Sequence, residues 1–273
     1  MNDFMICGAL LYDGTGHPPY PADVAVTESR VAAVAPAGKL HRTGFREIRA
    51  DGLSLSPGFI DAHGHSDVSI LAAPEASGKI SQGVTTEITG NCGLSAFPVL
   101  TDEVREHLDN LYAAYHVPIT WSTLDDYATE LNRREPAINI ASLCGHNTLR
   151  ANISGYGGRT LAAAELNRMA ELLGQALHQG AAGLSTGLLY TPGRFADTAE
   201  LLHLMSVLKK FDRLYATHLR SEGDQLTEAL EEAVFLAKNG SRKLQVSHLK
   251  TALPRNWDKL DRVLEQMGMR EGR

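Results

Sequence analysis

The chain has 273 residues, of which 26 are lysine or arginine and 32 are aspartate or glutamate. The net charge of −6 argues against a nucleic-acid-binding protein, in which basic residues normally predominate. Hydrophobic residues make up 43% and charged residues 21% of the sequence, which excludes disorder over most of the chain. The length suits one large domain or two small ones.

Targeting signals and a disulfide framework are both missing from the sequence. No apolar run approaches the roughly 18 residues that span a bilayer, and the N-terminus lacks the basic and apolar regions of a signal peptide. The cysteines, Cys7, Cys92 and Cys144, are few and odd in number. These features predict a cytoplasmic protein with reduced thiols and without a membrane partner.

Residues 1–52 are typical of a small β domain. An apolar run covers residues 4–11, and no periodicity of helical length follows it. Two further β-like runs, residues 23–26 and 30–34, are joined at Glu28-Ser29 and predict a hairpin.

Residues 53–273 show a different pattern, in which short apolar runs alternate with longer helical stretches. This alternation predicts about six strand–helix units, with a parallel sheet and helical crossovers. The candidate strands are Leu55–Ala62, Thr85–Gly90, Ile138–Leu143, Ala182–Thr186, Leu214–Thr217 and Leu244–Ser247.

Three signals locate helices within this second region. Residues 166–177 carry apolar side chains at i, i+3 and i+4 spacing. Asp197, with Glu200 three residues later, predicts a helix start. Asn239-Gly240 predicts the end of a helix over residues 224–238.

Polar side chains follow the candidate strands where each strand ends. In a parallel barrel these ends share the face that carries the active site, so we expect the side chains to converge. They are His63, His65, Cys92, His146, Ser185, Thr186, His218 and His248.

Two pairs of histidines are candidate metal ligands. His63 and His65 point to the same side of a strand because side chains alternate, so both could bind one ion. The alternative is a pair of polar loop histidines, since this short motif also occurs by chance. His218 and His248 are 30 residues apart, about one strand–helix unit, and are expected on neighbouring strands.

Cys92 is a candidate thiolate ligand, which suits Zn²⁺ beside imidazoles. The alternative is a buried small hydrophobic residue, which we assign to Cys7 and Cys144. His146 is ambiguous, because it could also orient a neighbour. Four histidines and a cysteine favour zinc over magnesium or calcium, and such a site suits hydrolysis of an amide bond with a carboxylate as base.

These residues lie within segments that resemble the metal-dependent amidohydrolase superfamily, in particular the N-terminal portion of the D-aminoacylases, or N-acyl-D-amino-acid deacylases. The Gly90-Asn91-Cys92-Gly93 segment is the most specific, because most amidohydrolases lack a cysteine ligand there. The segments cover nearly the whole chain and are residues 57–67, 81–86, 90–93, 145–150, 183–190, 216–220 and 247–250.

The resemblance implies a (β/α)₈ barrel beside a small β-sandwich to which the N-terminal strands contribute. It implies one tight zinc held by Cys92, His218 and His248, with a weaker second position at His63 and His65. It also implies that Tyr190 and Lys250 contact the substrate near its carboxylate. The implied reaction converts an N-acyl-D-amino acid to a carboxylate and a free D-amino acid.

One departure from the family concerns the general base, an aspartate on the last barrel strand. The sequence has no counterpart of strands seven and eight, so we expect this aspartate beyond residue 273. Asp61 and Asp67 flank the first histidine pair, but the family pattern makes neither of them the base. We therefore expect an incomplete barrel, completed by a missing C-terminal segment or a complementing chain.

Two alternatives stay open from the sequence. The chain could be a related cyclic amidase or dihydroorotase-like hydrolase, although no lysine suited to become a bridging carbamate lies at the fourth candidate strand. It could also be a non-catalytic zinc-binding fragment or a subunit of a split enzyme.

Overall fold

The computed structural model describes residues 3–41 and 43–268, and the chain divides into two compact units, Met1–Phe59 and Ile60–Arg273. The domain boundary that the sequence suggests, between residues 52 and 53, stays a prediction. Each unit is described separately below.

The first unit contains one five-stranded sheet. Its order is β3-β2-β1-β4, with β5 also pairing with β1. β1–β2 and β2–β3 are antiparallel, whereas β4 and β5 run parallel to β1. The strands are β1 (Phe4–Leu11), β2 (Tyr20–Thr27), β3 (Arg30–Pro36), β4 (Arg46–Arg49) and β5 (Ser54–Leu55).

The predicted hairpin is confirmed as β2 and β3. Glu28 and Ser29 turn the chain with φ of 49° and 62°, the left-handed conformation that two-residue hairpin turns require. The β-sandwich that the family resemblance implies stays a prediction.

The strands of the second unit pair in the order in which they occur in the chain, and the paired strands from β7 onward run parallel. One sheet has the order β6-β7-β8 and a second has the order β12-β11-β10-β9, with Leu143 alone separating β8 from β9. The strands are β6 (Phe59–Asp61), β7 (Val84–Thr89), β8 (Asn139–Ser142), β9 (Cys144–Gly145), β10 (Gly183–Gly187), β11 (Leu214–His218) and β12 (Leu244–Val246).

Five of the six candidate strands are confirmed, with shifts of at most one residue at their ends. The candidate Leu55–Ala62 is wrong as a single strand, because Ser56-Pro57-Gly58 separates β5 from β6. Proline has no backbone N–H to donate to a sheet, and glycine weakens strand pairing, so the chain leaves one sheet here and enters another.

Helices connect and cover these strands. They are α1 (Ser69–Ala72), α2 (Ser77–Ile80), α3 (Asp102–Leu111), α4 (Leu124–Arg134), α5 (His146–Ser154), α6 (Ala163–His178), α7 (Thr198–Phe211), α8 (Leu226–Asn239) and α9 (Leu260–Gln266), with 3₁₀ turns at Ala113–Tyr115, Gly193–Phe195 and Pro254–Lys259. Within residues 3–41 and 43–268, no helix combines the length and apolar character needed to cross a membrane.

The predicted helix signals are confirmed, apart from one helix start. The Asp197 carboxylate accepts a hydrogen bond from the Glu200 backbone N–H at 2.8 Å, which caps α7. Gly240 follows the last residue of α8. That helix begins at Leu226, two residues later than predicted, and Gln225 is its N-cap residue.

The core of the second unit lies between its strands and helices. α6 buries the apolar stripe that the sequence predicts, with Met169 and Leu173 completely enclosed. Leu184 of β10 and Tyr215 of β11 belong to the same core. Burial of this apolar surface is the main stabilising contribution to the unit.

A buried polar network links α5 to α7 on the helical side of the sheet. His146 Nε2 lies 2.8 Å from Glu200 Oε1, and Arg150 Nε donates to the same oxygen at 3.1 Å. His146 and Arg150 have no exposed surface, and Glu200 is 4% exposed. His146 therefore lies away from the other strand-end side chains and instead helps to hold two helices together.

Replacement of Glu200 by alanine should strongly destabilise the chain, because it leaves Arg150 buried without its carboxylate partner. We expect a loss of about 3–5 kcal/mol in the free energy of unfolding, measured by urea titration. Glu171→Ala, which breaks the exposed pair with Arg168, should cost no more than about 1 kcal/mol. Equal losses in the two variants would contradict a structural role for this network.

Candidate metal centre

Six of the predicted site residues border one cavity at the carboxyl ends of the parallel strands. The cavity has a volume of about 480 Å³. Its lining includes Cys92 after β7, His218 at the end of β11 and His248 after β12, and it also includes His65, Tyr190 and Lys250. The strand ends therefore bring together residues that are far apart in the sequence. His65 and Lys250, the first and last lining residues along the chain, are 185 positions apart.

Cys92 lies at the centre of the candidate ligands. Its Sγ atom is 3.5 Å from His63 Nε2, 3.7 Å from His218 Nδ1 and 3.4 Å from His248 Nε2. His218 Nδ1 and His248 Nε2 are 2.9 Å apart. The ligand atoms of His63, Cys92 and His248 lie close enough together to hold one ion.

The Gly90-Asn91-Cys92-Gly93 turn presents the thiol to the cavity. Gly90 and Cys92 have φ of 73° and 54°, and a Cβ atom on Gly90 would overlap the Leu143 carbonyl. The Asn91 amide donates to the carbonyls of Gly64 and Ile88 at 3.2 and 2.9 Å. The segment that is most specific in the sequence is thus a strained turn tied to the neighbouring strand.

The His63-Gly64-His65 segment rests on a buried carboxylate that sequence reasoning missed. Glu87 of β7 has no exposed surface, and it accepts a hydrogen bond from the Ser66 N–H at 3.2 Å. A Cβ atom on Gly64 would overlap the Glu87 carboxylate. Glycine between the two histidines is therefore required by this close approach. The signal that the sequence offered is a single acidic residue within the β-branched run Val84–Thr89.

Glu222 is the second residue that sequence reasoning missed. Its Oε1 lies 2.7 Å from His248 Nδ1, and its Oε2 accepts from Lys250 Nζ at 2.7 Å. Its ligand atom also lies close to those of His218 and His248. A carboxylate on the outer nitrogen of a metal-binding imidazole fixes the tautomer and orientation of the ring. Its position four residues after His218 was the available signal.

His65 and Tyr190 are less tightly integrated into the cluster. His65 contacts His63 edge-to-face, with ring centroids 5.1 Å apart, and it belongs to neither group of atoms that could hold one ion. The Tyr190 ring lies 4.6 Å from the His218 ring and is 46% exposed. Tyr190 and Lys250 are therefore accessible to a molecule in the cavity.

Burial sets the protonation of the cluster in the absence of a metal. It raises the pKa of the Cys92 thiol to about 11, an effect that the nearby Glu222 carboxylate reinforces. Burial lowers the pKa of His218 to about 4, against the opposing effect of Glu222. The pKa values of His63 and His65 are lowered by burial as well. The imidazoles of His63, His65 and His218 are therefore neutral at pH 7, as metal ligation requires.

The remaining strand-end side chains do not join the cluster, contrary to our expectation. Ser185 and Thr186 are buried in β10, where Ser185 accepts a hydrogen bond from the Gly93 N–H at 3.0 Å and Thr186 donates to Thr217 at 2.7 Å. His146 binds Glu200, as described above. These side chains do not line the cavity and instead form hydrogen bonds within the scaffold.

The acids that flank the histidine pair are also turned away from the cavity. Asp61 forms an ion pair with Lys79, which in turn lies 3.4 Å from Glu87. Asp67 is 1% exposed, and burial raises the pKa of its carboxyl to about 7. Neither carboxylate borders the cavity that holds Cys92.

Comparison with known proteins agrees with this site. The profile of the amidohydrolase family matches residues 46–267. N-acyl-D-aspartate deacylase of Alcaligenes xylosoxydans xylosoxydans is 38% identical over 97% of this chain and 53% of its own length. The chain therefore spans about half the length of the curated relatives that it matches.

Solved structures of two deacylating enzymes are also similar to this chain over about half of their own length. N-acyl-D-glutamate deacylase from Bordetella bronchiseptica, complexed with zinc and a phosphonate mimic of the tetrahedral intermediate, has a TM-score of 0.88 at 35% identity, covering 98% of this chain and 55% of that one. A D-aminoacylase described by its binuclear metal centre has a TM-score of 0.87 at 33% identity, covering 99% and 57%.

The chain belongs to the amidohydrolase family. Within that family, its relatives include D-aminoacylases and N-acyl-D-amino-acid deacylases, as the resemblance of the sequence segments predicts.

The free energy of unfolding of the metal-free chain should decrease as the pH falls from about 6.5 to 4. The unfolded chain protonates histidine near pH 6.5, whereas the buried His218 resists protonation until its pKa of about 4. The stabilising contribution is therefore complete above pH 6.5 and is lost on acidification. Urea titrations in chelator at several pH values should show a smaller pH dependence in His218→Asn.

The exposed His17 provides the control for this comparison. His17→Gln should keep the pH dependence of the unmodified chain, because this residue lies on a turn of the first unit. A His218→Asn variant with an unchanged slope would show that His218 titrates normally in the folded chain.

Proposed function

We propose that the chain supplies the metal-binding part of a zinc-dependent enzyme that hydrolyses N-acyl-D-amino acids to a carboxylate and a D-amino acid. The observation that carries this proposal is Cys92 Sγ within 3.4–3.7 Å of three imidazoles, in a cavity that Lys250 also lines. Relatives with names for this activity, at 34–38% identity, support the choice of substrate.

The chemistry of the donors fits zinc, as does the spacing of His63 and His248 from Cys92. Tetrahedral zinc with bonds of about 2.3 Å to sulfur and 2.0–2.1 Å to nitrogen separates its ligand atoms by about 3.3–3.6 Å. The distances from Cys92 to His63 and His248 match this spacing. His63 Nδ1 and His218 Nε2 are buried without a hydrogen-bond partner in the described structure, so these rings have an unused donor or acceptor.

We assign the tight zinc to Cys92, His218 and His248, and a weaker second position to His63 and His65. Cys92 lies within reach of both sets, because its sulfur contacts His63 as closely as it contacts His248. A single thiolate shared between two positions accounts for this arrangement and agrees with the binuclear centre described for the D-aminoacylase relative.

The side chains around the cluster would bind and orient the substrate. Zinc polarises the amide carbonyl and lowers the pKa of water toward about 7. The Lys250 ammonium would bind the α-carboxylate of the amino acid, with the accessible Tyr190 hydroxyl beside it. Glu222 would hold Lys250 and His248 in fixed positions, since it contacts both side chains at 2.7 Å.

The general base is proposed to come from outside the 273 residues. Asp61 and Asp67 are directed away from the cavity, and the relatives are about twice as long as this chain. We further propose that β6 to β12, with β8 and β9 counted as one strand, correspond to the first six strands of a (β/α)₈ barrel. A C-terminal segment or a complementing chain would then add the last two strands and the aspartate.

The zinc assignment can be tested with Cys92→Ala. We expect about one tightly bound zinc per unmodified chain and its loss from the variant, because the thiolate is shared by every proposed ligand set. Native mass spectrometry measures the zinc content and the intact mass together. Cys7→Ala, which removes a buried cysteine of the first unit, should keep the zinc. Retention of stoichiometric zinc by Cys92→Ala would eliminate this ligand.

His63→Ala tests the two-position assignment in the same experiment. The tight zinc should remain, and only binding of a second equivalent at excess zinc should weaken. Equal loss of one and the same metal from His63→Ala and Cys92→Ala would show a single site instead.

Hydrolysis of N-acyl-D-amino acids tests the substrate assignment. The full chain, with a complementing C-terminal segment of a relative where it is inactive alone, should release D-amino acids and leave the L-enantiomers intact. Lys250→Ala should raise KM at least tenfold with a smaller change in kcat, because it removes the partner of the α-carboxylate. Arg255→Ala, which removes a cation paired with Asp224, serves as control. An unchanged KM in Lys250→Ala would exclude carboxylate binding by this residue.

A further inference from the structure

The cavity continues from the cluster to an apolar surface, which we call the α3 wall. Leu94, Val104, Leu108, Leu111 and Tyr156 form this wall. The cavity volume of about 480 Å³ falls in the range of roughly 300–1,000 Å³ that is typical of small-molecule sites. None of the five side chains carries a charge at neutral pH, so the wall favours an apolar group of the ligand.

Helix α3 presents three of these residues on one face. Val104, Leu108 and Leu111 follow the i, i+4, i+7 spacing of a helical stripe. Val104 and Leu108 are each 1% exposed and belong to the core, whereas Leu111 is 49% exposed. Two side chains thus anchor the wall, and the third leaves apolar surface that a ligand can cover.

An aromatic pair borders the same wall. The rings of His107 and Tyr156 lie 4.5 Å apart between centroids. Burial raises the pKa of Tyr156 to about 12, so its phenol stays uncharged at neutral pH. Among the described residues that line the cavity, Lys250 is the one lysine or arginine. A second carboxylate on a ligand therefore has no lysine or arginine partner at the α3 wall.

The order of the strands separates Lys250 from the α3 wall. Lys250 follows β12, the last strand, whereas Leu94 and α3 lie in the connection between β7 and β8. Cys92 connects the two sides, because it precedes Leu94 by two residues and its sulfur lies 3.4 Å from His248, two residues before Lys250. A planar trans amide places its acyl chain and its amino-acid Cα on opposite sides of the C–N bond. With the α-carboxylate on Lys250, the acyl chain points toward the α3 wall.

We propose that the α3 wall binds the acyl chain of the substrate and selects N-acyl-D-amino acids with straight acyl groups longer than acetyl. This inference rests on the proposed function, because that function supplies the orientation of the amide. The contact is hydrophobic, so affinity should increase with each methylene that reaches the wall.

Titration calorimetry on the full 273-residue chain tests this inference, in chelator so that no substrate is consumed. The ligands are N-acetyl-, N-butanoyl- and N-hexanoyl-D-alanine, in which only the acyl chain changes. The Kd should fall roughly fourfold for each added methylene, which corresponds to about 0.8 kcal/mol per buried CH₂. Leu111→Gln should flatten this gradient and leave the acetyl compound unaffected.

Leu100→Gln is the matched control. Leu100 is 45% exposed, similar to Leu111, but it does not line the cavity. This variant should keep the full gradient, and thermal unfolding of both variants checks that they are folded. A Kd that is independent of acyl length, or equal effects of the two substitutions, would overturn the inference.

A second ligand series separates the acyl chain from the amino-acid side chain. N-acetyl-D-norvaline and N-acetyl-D-norleucine lengthen the side chain alone. A gradient in this series that Leu111→Gln removes would overturn the inference, because the wall would then bind the side chain. Hydrolysis without any acyl gradient would leave the proposed function intact, whereas an acyl gradient without hydrolysis by the complemented, zinc-loaded chain would count against that function alone.

Discussion

The approach of one cysteine sulfur to three imidazoles is the constraint on which the rest of the second unit depends. His63, Cys92, His218 and His248 come from four different strand ends, so their contact requires every intervening strand and helix to be in place. Without an ion, the buried thiol of Cys92 resists ionisation, and the imidazoles of His63 and His218 resist protonation. A divalent metal favours ionisation of the thiol, because it binds cysteine as a thiolate. It also requires the imidazoles to be neutral, which they already are when they resist protonation.

The layer behind these ligands consists of carboxylates and an amide with specific partners. Glu87 accepts from Ser66 beneath the first histidine pair, Asn91 donates to the Gly64 carbonyl between those histidines, and Glu222 contacts His248 and Lys250. Such residues fix the orientation of the ligands and are as important for geometry as the ligands themselves. A single carboxylate at Glu222 connects the proposed metal site with the proposed carboxylate site.

The chemistry of the site could be read from the sequence, whereas its supporting contacts could not. Cys92 stands out because Gly-Asn-Cys-Gly is a specific segment, and His63 and His65 stand out through their spacing. His146 satisfied the same strand-end pattern but turns to Glu200 on the helical side. Glu87 and Glu222 carried no motif, because their roles depend on residues 21 and 26 positions away.

The sequence by itself determined the alternation of strands and helices, the hairpin at Glu28-Ser29 and the types of residue that could bind zinc, because these depend on local periodicity and composition. Only the tertiary structure decided which strand-end side chains meet. The turn after β7 presents Cys92 to the cavity, whereas Ser185 and His146 are buried against Gly93 and Glu200. The apolar wall of α3 beside the cluster is likewise a product of packing, since Leu94 and Leu111 become neighbours of the site only when the chain folds.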